Sequence, residues 1–124
     1  MPRAARLEGY SRRYRFTQRG AFGPVIRGPR KVRGQLSLLH VLSGTPGASR
    51  FGVALTRRNV PLSVARNRLK RLARETFRRH AARNAGLDLV LMLRGKLPEG
   101  GEPLFLEELA SLLDQAMRRT APAA

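Results

Sequence analysis

Seven basic side chains crowd the stretch Ser63 to His80 (SVARNRLKRLARETFRRH): Arg66, Arg68, Lys70, Arg71, Arg74, Arg78 and Arg79, against one acid, Glu75. Most are arginines, whose planar forks suit bidentate anions such as phosphate better than simple point-charge attraction would. Asn67, between Arg66 and Arg68, adds a neutral donor and acceptor. The chemistry open to such a stretch is capture of a polyanion. Bond-breaking chemistry finds less support. Acid–base cleavage of RNA wants two poised groups, commonly histidines, and nothing in the sequence brings His40, in an apolar extended stretch, near His80 at the flank of the basic one. A two-metal centre wants converging carboxylates. Five of the eight acids fall in residues 99–124, at loop and outer-helix positions, and Glu75 and Asp88 stand isolated. Metal-ligand spacing, a phosphate-cradling glycine loop and a nucleophile elbow are all missing. The chain is expected to bind and orient.

The element that presents these cations reads as a helix. At 100° per residue Ala65, Leu69, Leu72, Ala73, Thr76 and His80 share one side with Phe77 at its edge, while Arg66, Asn67, Lys70, Arg71, Arg74 and Arg78 fan across the other. Pro61 interrupts regular structure just before it, and Ser63 is the expected N-cap. Arg66 and Arg68 then lie in the first turn, beside the positive end of the helix dipole, where a cation costs about 0.3–1 kcal/mol. A docked polyanion reverses that sign, because its phosphates meet guanidinium groups and first-turn amides together. A solvated face would normally mix both charges.

Composition places the same demand on the whole chain. Its 124 residues fit one domain, and 25 Lys and Arg against 8 Asp and Glu give a formal charge of +17, while 42% hydrophobic residues are enough for a core. The charge is lopsided: residues 1–98 hold 23 basic and three acidic residues, residues 99–124 two basic and five acidic. Nucleic acid is the leading partner class. A membrane surface competes less well, since the helix needs its apolar side for its own core. No apolar run approaches a membrane span, the start MPRAARLEGYSRR lacks a secretion-signal core, and without cysteine there is no disulfide framework, so a cytoplasmic location is expected.

In chain order, residues 1–14 read as a flexible basic arm, 15–119 as a single RNA-binding domain and 120–124 as a disordered tail. TQRGAFGPVI, from Thr17, reads as a short first helix that only packing of Phe22, Val25 and Ile26 would hold. Arg30 to Leu42 reads as extended chain kinked at Gly34, and SGTPGAS as a loop. RFGVALTRR, with Gly52 and Ala54 on a small-residue face, reads as the antiparallel hairpin partner of the strand before it. After the basic helix, Gly86 is the expected left-handed stop, LDLVLML a buried strand, GKLPEGGEP a loop, and Leu104 to Arg119 an amphipathic closing helix of structural role.

Four separately placed features resemble the protein subunit of bacterial ribonuclease P: GVALTRRNVPLSVARNRLKRLARETFR with its basic pair and Arg-Asn-Arg helix, RFTQRGAFGPVIRG upstream, the strand LDLVLML, and the final helix. The resemblance runs from about Arg15 to Arg119. It implies an α+β fold ordered helix-strand-strand-strand-helix-strand-helix, with a four-stranded sheet and a left-handed βαβ crossover. It further implies a ribonucleoprotein that removes the 5′ leader of precursor tRNA, with catalysis and the Mg²⁺ ions belonging mainly to the RNA subunit and with no obligate protein partner. By the same resemblance Arg66, Asn67, Arg68, Lys70, Arg71 and Arg74 would contact the catalytic RNA. Phe22, Ile26 and Leu39 would line a cleft for the single-stranded leader, with Arg57 and Arg58 on its phosphates. Ile26 and Leu39 stand where members often carry aromatics, and the connector NVPLSVARN is one residue longer than usual and lacks the customary Gly-Asn. Composition alone fits a structural RNA-binding protein of the ribosome equally well, and an unaided protein nuclease is the third alternative.

Overall fold

The structure, a computed structural model, describes residues 22–120, with side chains through residue 118. The expected basic arm, the expected helix start at Thr17 and the end of the tail lie outside the described residues. The elements run α1 (Phe22–Arg27), β1 (Arg30–Arg33), β2 (Ser37–Ser43), β3 (Arg50–Ala54), α2 (Ser63–Arg78), a 3₁₀ turn (Ala81–Asn84), β4 (Leu87–Leu93) and α3 (Glu102–Thr120). This is the expected α+β order. The strands form one sheet in the order β1-β2-β4-β3.

The expected hairpin between β2 and β3 does not form, whereas the expected βαβ crossover from β3 to β4 does. β3 lies parallel to β4, with Phe51 opposite Leu89 and Val53 opposite Leu91, and β2 pairs antiparallel with β4 instead. The cause lies in β4 itself: six of its seven residues are buried, and a strand apolar on both faces belongs in the interior of a sheet. It takes the place beside β2 that a simple hairpin would have given to β3. Parallel neighbours then require a crossover, which α2 supplies. The chain between Arg30 and Leu42 does not merely kink at Gly34 but reverses, making β1 and β2 a hairpin with Val32 opposite Leu39.

Side chains alternate strictly across the sheet. Leu39 and Val41 of β2, Phe51 and Val53 of β3, and Leu87, Leu89, Leu91 and Leu93 of β4 meet Leu69, Ala73 and Phe77 of α2 and Phe105, Leu109, Leu112, Leu113 and Ala116 of α3 in one buried cluster. The Phe51 and Phe77 rings stack within it at 4.8 Å between centroids. Phe77 is a fully buried member of the stripe of α2, at its C-terminal end. α2 ends at Arg78, so His80 no longer belongs to the stripe and its axis shifts onto Leu69, Ala73 and Phe77. The other face carries Leu38, His40, Leu42, Asp88, Val90, Met92, Arg50, Gly52 and Ala54, and α1 packs there on β2 and β4. Val25, Val90 and His40 are buried on that side, apart from the main cluster.

Two local devices were not legible beforehand. Glu108 of α3, expected on an outer surface, accepts from the backbone amides of Gln35, Leu36 and Ser37 at 2.6–3.1 Å and so fixes the β1–β2 turn. A Cβ at Gly34 would run into that carboxylate. Ser63 does not cap α2: Leu62 occupies the N-cap, with extended backbone and no side-chain bond. Gly86, at φ +74°, is the left-handed residue expected before β4.

Candidate nucleic-acid interface

α2 is held by its buried stripe on one side and by α3 along the flank of Leu72, Thr76 and His80, and both constraints leave the opposite side free to carry charge. Val64, Asn67, Arg68 and Arg71 fall on the face pointing away from the core, at positions i, i+3, i+4 and i+7, and all four are exposed. Lys70 and Arg74 are half-buried along the flank away from α3. Among the described residues no carboxylate lies within ion-pair distance of Lys70 or Arg71. Among the described residues, one bridge from Arg68 to Glu102 offsets part of the repulsion along this face.

Arg68 and Arg66, of the expected set, have internal partners. Arg68 forms a two-pronged bridge to Glu102 at the start of α3, Nε to Oε1 at 2.8 Å and Nη2 to Oε2 at 3.1 Å. That hydrogen bonding holds the Glu102 carboxyl below its ordinary range. The Arg68 side chain is still 54% exposed, and an ion pair in that setting contributes little and exchanges readily for another anion. Arg66 donates from Nη1 to the carbonyls of Val60 and Pro61, both at 2.9 Å, stapling the connector to the helix. This offsets its poor place in the first turn, since the guanidinium satisfies loop carbonyls. Arg78 bridges Glu75 at 2.6 Å, which lowers the Glu75 carboxyl.

Arg57 and Arg58 project from the turn that links β3 to α2, and both are exposed. The turn is closed by the Thr56 hydroxyl, which donates to Asn59 Oδ1 at 2.7 Å and accepts from the Asn59 amide at 3.1 Å, and by the Val60 amide on the Thr56 carbonyl. The basic pair and the α2 cations thus occupy consecutive stations along one short run of chain.

The leader-side residues divide. Phe22 and Ile26 are half-buried on α1, over the sheet face opposite the main core, and Gly28 follows the helix where a Cβ would come into van der Waals contact with Leu42. Leu39 does not join them. It is fully buried in the main cluster on the far side of the sheet, because alternation along β2 sends its neighbours Leu38 and His40 toward α1. His40 is the residue missed: it is 4% exposed, its Nδ1 has no hydrogen-bond partner among the described residues, and burial, with Lys31 opposite, pushes its pKa down. Period-2 counting from Val41 would have found it, but β2 is apolar on both faces and the alternation is muted.

The two histidines lie on opposite sides of the sheet. His80 accepts from the Ala82 amide at Nδ1 and so carries its proton on Nε2, which meets Asp114 at 2.6 Å. It caps the 3₁₀ turn and ties it to α3. The described acids do not form a ligand set either: Asp88 is bonded to Arg50, Glu75 to Arg78, Glu102 to Arg68 and Glu108 to backbone amides, and no group of three or more His, Cys, Asp or Glu among the described residues is placed to hold a metal ion. No described helix is long and apolar enough to cross a membrane.

Known proteins share this arrangement. A ribonuclease P protein component from Stutzerimonas stutzeri is 34% identical over 117 residues, covering 94% of this chain and 89% of that relative. One from Pseudomonas paraeruginosa is 36% identical over 98 residues, covering 78% and 73%. The RNase P protein structure from Thermotoga maritima superposes with a TM-score of 0.67 at 25% identity, over 85% of this chain and 96% of that one. The Staphylococcus aureus RNase P protein structure shares the fold, with a TM-score of 0.62 at 16% identity over 87% and 95%. The family described as Ribonuclease P matches residues 10–117, and with nearly the whole described domain inside that match, this chain belongs to the ribonuclease P protein family.

Proposed function

We propose that this chain is the protein component of a cytoplasmic ribonucleoprotein that removes the 5′ leader from precursor tRNA, and that it binds and positions RNA while the RNA subunit performs the cleavage. The observation that carries the reading is the outward face of α2, where Lys70 and Arg71 stand without a carboxylate partner among the described residues and Arg68 has one it can exchange. A fold tolerates uncompensated like charge where a polyanion completes it. Arg66, Asn67, Arg68, Lys70, Arg71 and Arg74 serve the catalytic RNA, Asn67 and the arginines by charge-assisted or neutral hydrogen bonds to phosphate and ribose, Lys70 by charge.

Phe22 and Ile26, with His40 and Leu38 beneath them, bound the trough for the single-stranded leader, and Arg57 and Arg58 hold its phosphates. An aromatic face, an aliphatic wall and flanking cations favour a single strand without fixing its sequence, at about 1–3 kcal/mol per base stacked on an aromatic ring. The Mg²⁺ ions of the reaction are assigned to the RNA; Asp88, Glu102 and Glu75 are engaged by arginines and Glu108 by backbone amides.

Mixing the purified chain with precursor tRNA, with and without the catalytic RNA at low Mg²⁺, tests this. Cleavage is expected only with the RNA present and faster with the protein added, and binding should weaken steeply as salt rises. Cleavage by the protein alone would overturn the division of labour. Absence of any stimulation would return the chain to the class of structural RNA-binding proteins.

A further inference from the structure

The connector and first turn of α2 carry two aliphatic side chains that the fold does not use. Leu62 is 71% exposed and Val64 78%, the highest values among the large hydrophobic residues described. Single exposed aliphatics are ordinary on protein surfaces. These two are set apart by their place. Val64 shares its stripe with Asn67, Arg68 and Arg71, and Leu62 lies between that stripe and the exposed pair Arg57 and Arg58. An RNA strand gripped by the guanidinium groups of both sets would pass over them.

We propose that Leu62 and Val64 form an apolar seat for one unstacked nucleotide of the RNA that docks on α2, an inference that rests on the functional reading above. Arginine side chains reach farther from the helix than valine does, so phosphates held at their tips leave a gap above Val64. Aliphatic groups gain nothing from phosphate, but they gain from the flat, apolar face of a base or the carbon edge of a ribose. A base turned inward from the gripped strand closes the gap and removes both side chains from water. Charge selects this occupant over a second copy of the chain, which would bring its own +17 to the same surface. Two aliphatics are also too small an area to hold a membrane without deeper insertion.

The test compares the intact chain with a Leu62→Ser/Val64→Ser variant and a Leu62→Met/Val64→Ile variant for binding to the folded catalytic RNA across a salt series. The serine variant is expected to bind about fivefold to thirtyfold more weakly, with an unchanged slope of log affinity against log salt, because no phosphate contact is lost. The Met/Ile variant should bind like the parent. Chemical probing of the RNA should show one flexible nucleotide that becomes constrained with the parent chain and stays flexible with the serine variant. Equal affinity of the serine variant, a changed salt slope, or no nucleotide whose protection depends on the pair would each overturn the proposal. So would a loss of self-association in the serine variant with RNA binding intact, which would assign the pair to a second copy. If the parent chain itself fails to bind the catalytic RNA, or binds it without salt dependence, the functional reading fails first.

Discussion

The two faces of the sheet are built to different rules. Toward α2 and α3 the sheet presents Leu39, Leu89, Leu91 and Phe51, all fully buried, against the fully buried Phe77 and Phe105. Toward α1 it presents a histidine, an Arg50–Asp88 ion pair and two small residues of β3, covered by a six-residue helix containing a glycine and a proline. The first face removes apolar area from water and supplies most of the stability. The second buries polar groups, His40 and Asp88, among its apolar ones, and its helix is too short and too poor in propensity to persist except by contact.

The contrast can be broken first at its strongest point. Phe77→Ala, which removes one ring of the stack on the core face, is expected to cost about 3–5 kcal/mol in denaturant unfolding, whereas Val25→Ala on the buried side of α1 should cost about 1–3 kcal/mol. Equal losses would mean that the two faces contribute alike. Next in size is Glu108→Ala, which leaves three amides of the β1–β2 turn without their acceptor and is expected to cost about 1–3 kcal/mol. Hydrogen exchange at Gln35, Leu36 and Ser37 should speed up selectively, and unchanged protection there would remove Glu108 from the account of the turn.

The smallest effect sharpens the trough side. Burial depresses the His40 pKa in the fold, so the unfolded chain takes up this proton before the folded chain does. The sign follows: this contribution to stability is fully present above the unfolded value near 6.5 and is lost as the pH falls below it. Thermal midpoints measured between pH 7.5 and 5 should fall for the parent chain and fall less for His40→Gln. Identical slopes would place the depression elsewhere.

Much of this was legible in the residues. The basic helix, the closing helix and the strands of Leu38 and Leu89 announce themselves by period and composition, and the clustering of cations on one side of α2 follows from the same wheel. Misreadings arose where a local signal had two solutions. Sequence adjacency favours a β2–β3 hairpin, but the doubly apolar β4 competes for the same edge and wins. Leu39 and His40 are neighbours on a strand apolar on both faces, and only the position of α1 tells which one faces the trough. Ser63 is a good N-cap by type, yet the helix begins one residue earlier than a cap at that position would allow. Glu108 looked like one more surface acid because its partners, three backbone amides, leave no mark in side-chain composition.

What the amino-acid order determined by itself was the polyanion-suited charge and the helix that carries most of it on one side, because charge sign, arginine content and a 3.6-residue period are local and additive. What only the tertiary structure decided was which strand lies beside which, which side chains share the sheet face under α1, and which arginines are tied internally, as Arg68 with Glu102 and Arg66 with the connector carbonyls illustrate. Those outcomes depend on distant segments competing for the same surface, and a competition is settled by the whole packing rather than by any one stretch.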